Sequence, residues 1–464
     1  MSIKKADNFY DMEMCLSPAM VDMLRPVMGS EWKAFLKALQ QPPVVSIRVN
    51  RGKTVLVPTE VSVPWCAEGF YLSERQNFTN DPWLHAGAYY VQEASSMFLA
   101  QVLQHFCLPT ARCLDLCAAP GGKSLIVADH VHKGGLLVSN EINRTRCSVL
   151  VENITKWGLP HVLVTNDEPA DFERLGAWFD LVLVDAPCSG EGMLRKEPQV
   201  LTEWSRESVR KCVMRQWQIL QSAWRVLQPG GILIYSTCTY NVHEDEEQVR
   251  RLLQEVDAEL LSVPLQVDWG VIDTGVGYRF VPHRTRGEGL FMAVVRKNSH
   301  GEKLRHTTIH VKHVVKECAM SDMLQNADHY TAMNFRHIVL ACPKPLTSAF
   351  DELLNTLRVV QCGVPLFAYH GQSLVPQPAL ALSQCLRRDA FIGVEVDDAT
   401  ALAFLRGEAL RLSTQQRGYV LIIYRGLPLG FVHNIGTRCN NLYPSPWRIR
   451  MATKAVSHVL VEKA

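Results

Sequence analysis

No stretch of the 464-residue chain approaches the roughly 20 consecutive apolar residues of a membrane span. The start, MSIKKADNFYDMEMC, holds charges where a secretory signal would hold an apolar core, which argues against export. The chain has 14 cysteines, yet no two stand in a C-x-x-C pair and none clusters with histidine. That spacing leaves no zinc framework, so no metal is expected. Scattered thiols without a disulfide pattern fit a reducing cytoplasm. No internal repeat is visible.

The most informative absence lies in LDLCAAPGGKS, Leu114–Ser124. It ends like a phosphate-binding loop, but G-x-x-x-x-G-K-[ST] requires a glycine where Cys117 stands. Gly121-Gly122 also fails G-x-G-x-x-G. A P-loop ATPase is therefore excluded. What remains is an apolar strand with Asp115 near its end, a tight turn through Ala118-Ala119-Pro120, and two glycines opening a helix. Backbone N–H groups at such a turn hold ligands with acceptor oxygens.

Hydrophobic content of 47% and charged content of 20% describe a globular chain, long enough for two to four domains. The net charge of +2 conceals a basic end, because the last 54 residues hold eight Lys+Arg and one Asp+Glu. A compact basic module suggests a polyanion partner, although a solvated surface gives the same imbalance.

From Ala111 the texture becomes strand and helix in alternation. ARCLDLC, GGLLVSNEI, HVLVTND, FDLVLVDAP and GGILIYSTC are short aliphatic runs, with helical patterns at Arg144–Trp157 and Val200–Leu227. Apolar strands with helical crossovers predict a parallel sheet covered on both faces, an α/β domain over 91–298 closed by GLFMAVVRK. Residues 1–90 read as a mixed α+β extension, helical around Trp32–Leu39 and strand-like in VVSIRVN. Residues 299–394 read as a linker, KNSHGEKLRHTT, and a weakly patterned middle region; residues 395–464 read as a small β-barrel broken at Gly-Leu-Pro and Gly-Thr-Arg turns.

In a doubly wound sheet, ligands bind beyond the carboxyl ends of the strands. Asp115 and the glycine turn follow the first strand, and Glu141 follows the second. Asn166-Asp167 follow the third, Asp185-Ala186-Pro187-Cys188 the fourth, and Thr237-Cys238-Thr239 the fifth. An acid just past the second strand typically accepts from ribose hydroxyls, and Glu141 has that place. Asp167 can accept from an adenine amino group or cap the next helix, with Asp171 as a nearby competitor. An adenosine ligand without a phosphate loop points to S-adenosylmethionine, its carboxylate on the Ala119–Lys123 turn.

A lone cysteine in an apolar strand is usually a small buried hydrophobe, and Cys66, Cys107, Cys113, Cys147 and Cys342 read that way. Two at adjacent strand ends beside a nucleoside site suit another task. Cytosine C5 is a poor nucleophile until a thiolate adds to C6. The reaction then needs a nucleophile, an acid at N3 and help with release. Two cysteines and Asp185 meet that requirement. The residue types leave open which thiol attacks, since Pro187-Cys188 matches the Pro-Cys nucleophile of DNA cytosine methyltransferases. Those enzymes also carry an E-N-V motif, which this chain lacks.

LDLCAAPGGKS, DAPCSGEGMLRKEP and YSTCTYNVHEDEEQV resemble motifs I, IV and VI of the bacterial RsmB/RsmF and eukaryotic Sun-domain RNA 5-methylcytosine methyltransferases. SIRVN and YYVQEASSM match N-terminal elements of that family, and the resemblance runs from about Ser46 to Val295. The tail, GLPLGFVHNIGTRCNNLYPSPWRIR, is similar to the RsmF branch, whose tail is PUA-like and whose substrate is small-subunit ribosomal RNA. The resemblance implies a Rossmann-like class I methyltransferase fold with an RNA-binding extension on either side. It implies Cys238 as nucleophile, Cys188 assisting release and Asp185 on the cytosine edge. It also implies that Cys117, Ala118, Ala119, Pro120, Gly121, Gly122, Lys123, Glu141, Asp167 and Asp185 hold the cofactor. TNDEPADF departs from the family's commoner D-G motif at Asp167. Transfer RNA is the alternative substrate. A ribosome-assembly factor without chemistry predicts damage at the cysteines or the cofactor loop, and every position is intact.

Overall fold

The computed structural model describes residues 13–460 except 14, 55–57, 59–60, 133, 299–311, 316–318, 372, 451–455 and 457. Most of the segment expected to be a linker thus lies outside the described residues. Among the described residues the central sheet has ten strands, seven of which form its main span: β1 (Arg112–Asp115), β2 (Leu136–Asn140), β3 (Val162–Thr165), β4 (Phe179–Asp185), β5 (Leu227–Thr237), β6 (Leu290–Lys297) and β7 (Val359–Cys362). Three short strands between Ala258 and Phe280 extend it beyond β6. Their spatial order is β6-β5-β4-β1-β2-β3-β7. The first five run parallel, while β6 and β7 pair antiparallel at the two sides. The direction of winding reverses between β1 and β4, which is where such a sheet opens a crevice.

The strands are short and buried on both faces because helices cover them. α1 (Gly122–His130), α2 (Arg144–Trp157), α3 (Arg206–Val226) and α4 (Glu246–Glu255) supply the cover. α2 spans the residues its sequence pattern predicts. Asn143 begins it by accepting hydrogen bonds from the Thr145 and Arg146 amides, and Gly158 ends it at φ +84°. A Cβ on Gly158 would lie 2.3 Å from the Leu382 carbonyl, so glycine lets the middle region approach. The expected Val200–Leu227 helix is broken instead. A short helix ends at Glu203, and Ser205 starts α3 by accepting from the Ser208 amide at 3.0 Å.

The weakly patterned middle region carries a four-stranded antiparallel sheet between Tyr330 and Pro376, and it contributes β7 to the central sheet. In the tail, Ile392–Glu395 pairs parallel with Gly418–Tyr424, joined by the helix Asp398–Leu405. The two ends of the chain share one hydrophobic core. Ile47, Val49, Trp83 and Tyr89 pack with Leu402, Phe404, Val420 and Leu429. The seam also holds polar contacts: His85 Nδ1 lies 3.2 Å from the Tyr443 hydroxyl, and the Val459 amide donates to Asp81 at 3.3 Å. Tyr443 is therefore a core residue, with Trp447 packed beside it. Among the described residues, no helix is long and apolar enough to cross a membrane and no group of His, Cys, Asp or Glu side chains has metal-site geometry.

Candidate active site

The strand ends converge on the crevice. Asp115 ends β1, Asp185 ends β4, and Cys238 follows the last residue of β5. Glu141 follows β2, and Asn166-Asp167 follow β3. The turn after β1 passes through Cys117, Ala118, Ala119 and Pro120 to Gly121, which caps α1 at φ +119°. A left-handed φ of that size favours glycine, and a Cβ there would also press on Leu150 at 3.1 Å.

Asp115 is fully buried. The Ser124 hydroxyl donates to its Oδ2 at 2.6 Å, while Oδ1 has no protein partner. Burial pushes its carboxyl up to about 7. Burial likewise holds the Cys117 thiol protonated. Glu141 is 2% exposed. Its Oε1 accepts from the Asn143 amide at 2.8 Å, and Oε2 lies 3.2 Å from the Arg146 guanidinium. Arg146 also donates to the Ala119 carbonyl at 2.6 Å, tying the ribose candidate to the glycine turn.

Asp167 has a partner from far along the chain. Its two oxygens accept from the Arg358 amide at 3.0 and 2.9 Å, just ahead of β7. Asp171, by contrast, is a local cap that accepts from the Glu168 amide at 3.1 Å. The side-chain amide of Asn166 donates to the carbonyls of Glu141 and Ile142 at 2.6 and 2.8 Å, which fixes the second and third strand ends to each other.

At the ends of β4 and β5 the Cys188 and Cys238 sulfurs lie 3.0 Å apart, and the Cys238 amide points at the Cys188 sulfur at 3.4 Å. Both cysteines are half-buried. The Cys238 sulfur beside it, then burial, push the Cys188 thiol well above the ordinary range. Lys123 reaches across to Asp185 Oδ1 at 2.8 Å, and the Ser236 hydroxyl donates to the same oxygen at 2.7 Å. The sequence-predicted residues thus fall into two groups, a turn with acids on the β1–β3 side and two thiols with Asp185 on the β4–β5 side, with Lys123 bridging them.

Sequence reasoning missed a layer behind the thiols. Glu191 and Glu244 are both fully buried, and Asn241 Nδ2 donates to each, at 2.9 and 2.8 Å. Both glutamates sit inside the quoted cysteine motifs. Their nearness to the strand-end cysteines, Glu191 three residues after Cys188 and Glu244 six after Cys238, is the signal that could have found them.

Comparison with known proteins gives the family. The model of 16S rRNA methyltransferase RsmB/F matches residues 107–296. That of the N-terminal domain of 16S rRNA methyltransferase RsmF matches 16–94, and that of the methyltransferase RsmF PUA domain matches 392–449. Ribosomal RNA small subunit methyltransferase F of Shewanella sp. strain ANA-3 is 32% identical over 449 residues, covering 88% of this chain and 92% of its own. The chain belongs to the RsmF family. It is accordingly an rRNA methyltransferase of the S-adenosylmethionine-dependent kind. The RsmF relative from Cronobacter sakazakii is 30% identical over 466 residues, covering 93% of this chain and 96% of its own. Among solved structures, a methyltransferase homolog from Pyrococcus horikoshii aligns with a TM-score of 0.54 at 26% identity, over 64% of this chain and 100% of its own. NSun6 from Pyrococcus horikoshii with SFG has the same fold, with a TM-score of 0.53 at 20% identity over 61% and 98% of the two chains. The expected class I methyltransferase fold with a C-terminal PUA domain is therefore present.

Proposed function

We propose that this RsmF-family chain methylates C5 of a cytosine in small-subunit ribosomal RNA, with Cys238 adding to C6 and Cys188 serving release. The observation that carries the reading is the pair of thiols 3.0 Å apart at neighbouring strand ends, beside the Lys123–Asp185 pair. The names of the RsmF relatives support the ribosomal substrate. Residues 91–298 would act on the base, while 1–90 and 395–464 would hold the RNA.

S-adenosylmethionine, when bound, supplies an electrophilic methyl group. The residues present fit it. Asp115 keeps a buried oxygen without a protein partner, and Glu141 has lone pairs to spare for two hydroxyls. Ile142, 52% exposed beside Glu141, offers an apolar face to an adenine ring. Asp167 would accept from the adenine amino group in addition to the Arg358 amide.

The cysteines divide the covalent work. The Cys238 thiolate forms a bond to C6 as the C5–C6 π electrons shift into the ring, N3 takes a proton delivered through Asp185, and C5 becomes enamine-like. Asp185, whose Oδ1 is taken by Lys123 and Ser236, offers Oδ2 to the cytosine edge. After C5 has gained the methyl group, a base takes the C5 proton, and the C–H electron pair forms the C5=C6 bond as the S–C6 bond breaks. The Cys238 thiolate leaves, and N3 returns its proton to the acid that supplied it. Cys188, with its sulfur 3.0 Å from that of Cys238, is placed to assist departure of the Cys238 thiolate, the role that the resemblance of its motif implies. Cys188→Ala is therefore expected to accumulate a protein–RNA adduct that survives denaturing gels, and Cys238→Ala to be inactive without one. An adduct in Cys238→Ala and none in Cys188→Ala would reverse the roles.

A further inference from the structure

The two cysteine loops exchange their anchors. Glu191 lies on the Cys188 loop, yet its carboxylate serves the Cys238 loop. Its Oε2 takes the Thr239 hydroxyl, and its Oε1 takes Asn241 Nδ2 at 2.9 Å. Glu244 lies beyond Cys238, yet its carboxylate serves the Cys188 loop. Its Oε2 accepts from the Ser189 amide at 3.1 Å, and its Oε1 takes the Ser189 hydroxyl. Gln216 completes that side by donating to Glu244 at 2.7 Å and to the Pro187 carbonyl at 3.0 Å. A backbone bond from the Gly192 amide to the Cys238 carbonyl, at 2.8 Å, closes the clasp.

We infer that Glu244 and Glu191 are positioning residues with separate duties, Glu244 setting Cys188 for the release step and Glu191 setting Cys238 for addition. This rests on the assignment of addition to Cys238 and release to Cys188. Neither glutamate is needed for bond making, and both are fully buried. Water cannot replace the bonds they make, so losing one lets the opposite loop drift. Misplacing a reacting group by about 1 Å can slow its step on the order of a hundredfold.

Glutamine at either position keeps the shape but breaks the bonding. In Glu244→Gln, one orientation sets the new NH2 against the Ser189 and Gln216 donors, and the other sets it against Asn241. In Glu191→Gln, the Oε1 position faces Trp204 and Asn241 donors at 2.7 and 2.9 Å. At the Oε2 position the NH2 meets a Thr239 hydroxyl that already accepts from the Asn241 amide and side chain at 3.2 and 2.7 Å. Two smaller variants remove a hydroxyl each: Ser189→Ala loses its bonds to Glu244 and Asn241 on the Cys188 side, and Thr239→Val loses its bonds to Glu191 and Asn241 on the Cys238 side.

The test uses the full chain, an unmodified 16S ribosomal RNA transcript and S-adenosylmethionine, and reads gel-stable adduct and methyl transfer over time. Glu244→Gln and Ser189→Ala should retain addition, release roughly a hundredfold more slowly, and accumulate adduct as Cys188→Ala does. Glu191→Gln and Thr239→Val should lose addition and accumulate none. Cys188→Ala and Cys238→Ala run alongside. If Cys188→Ala traps nothing, the assignment of the thiols fails. If it traps adduct while Glu244→Gln and Ser189→Ala do not, the separate duties are refuted. They are equally refuted if all four variants lose both steps in proportion to lost thermal stability.

Discussion

Replacing Arg417, Arg438 and Arg450 with alanine should weaken RNA binding without touching the chemistry. All three are exposed, and among the described residues none pairs with a carboxylate. Two of them converge, because a Cβ at Gly436 would lie 3.1 Å from Arg417 Nε, in the turn that carries Arg438. Each phosphate neutralised by a cation contributes about 0.7 to 0.9 to the slope of log affinity against log salt. Three lost contacts should therefore flatten that slope by about 2 to 3 and weaken binding roughly a hundredfold at 0.15 M salt. Exposed side chains of this sort change stability by no more than about 0.5 kcal/mol each, so thermal unfolding should be nearly unmoved. Fluorescence anisotropy with labelled RNA over a KCl series measures the slope, and turnover at saturating RNA measures the chemistry. An unchanged slope, or a turnover loss as large as the affinity loss, would refute the reasoning. Deleting the tail from Arg417 is a poorer experiment, since it strips Val420 and Leu429 from the core that holds the N-terminal sheet.

Glu141→Ala should weaken S-adenosylmethionine binding in calorimetry, because each hydrogen bond to a charged acceptor is worth about 1.5–3 kcal/mol; unchanged affinity removes Glu141 from the site. Trp83→Ala should cost about 3–5 kcal/mol of stability and loosen both ends of the chain together, as limited proteolysis would report. A tail still protected in that variant contradicts the shared core. Burial raises Asp115 from the ordinary 3.8 to about 7, so the folded protein holds this proton more tightly than the unfolded chain. Stability from this group is full below the ordinary carboxylate range and is lost as pH rises through about 7, by about 1.4 kcal/mol for each pH unit crossed between those two values. Asp115→Asn should flatten that decline in denaturant titrations at pH 4 to 7.5, and an unaltered profile in the variant would count against it.

The site was legible where chemistry and secondary structure share a short segment. A strand that stops at Asp115, Asp185 or Thr237 declares its own end, and the residues just beyond fall into the crevice of any doubly wound sheet. What was illegible depends on distant partners. Asp167 reads locally as a cap or an adenine contact, and nothing near it announces the amide of Arg358. β7 is four residues long and carries no period that separates it from a loop; pairing with β3 makes it a strand. The break in the Val200–Leu227 pattern was missed because Ser205 caps through Ser208, without the acidic partner of the commoner capping box. Glu191 and Glu244 stand among other charged residues in their motifs, and nothing local announces that the fold buries both behind the thiols.

A core divided between the two ends of a chain sets a timetable for synthesis. Ile47, Val49, Trp83 and Tyr89 leave the ribosome early, while Leu402, Phe404, Val420 and Leu429 arrive more than 300 residues later. At about 5–20 residues per second, the early apolar face waits some tens of seconds for its other half. The catalytic sheet between them can close during that interval, because β1 to β6 end at Lys297. The unit proposed to grip RNA is completed only when translation is nearly over, so a chain truncated before Leu402 would carry its cysteine loops with half of that core open to water.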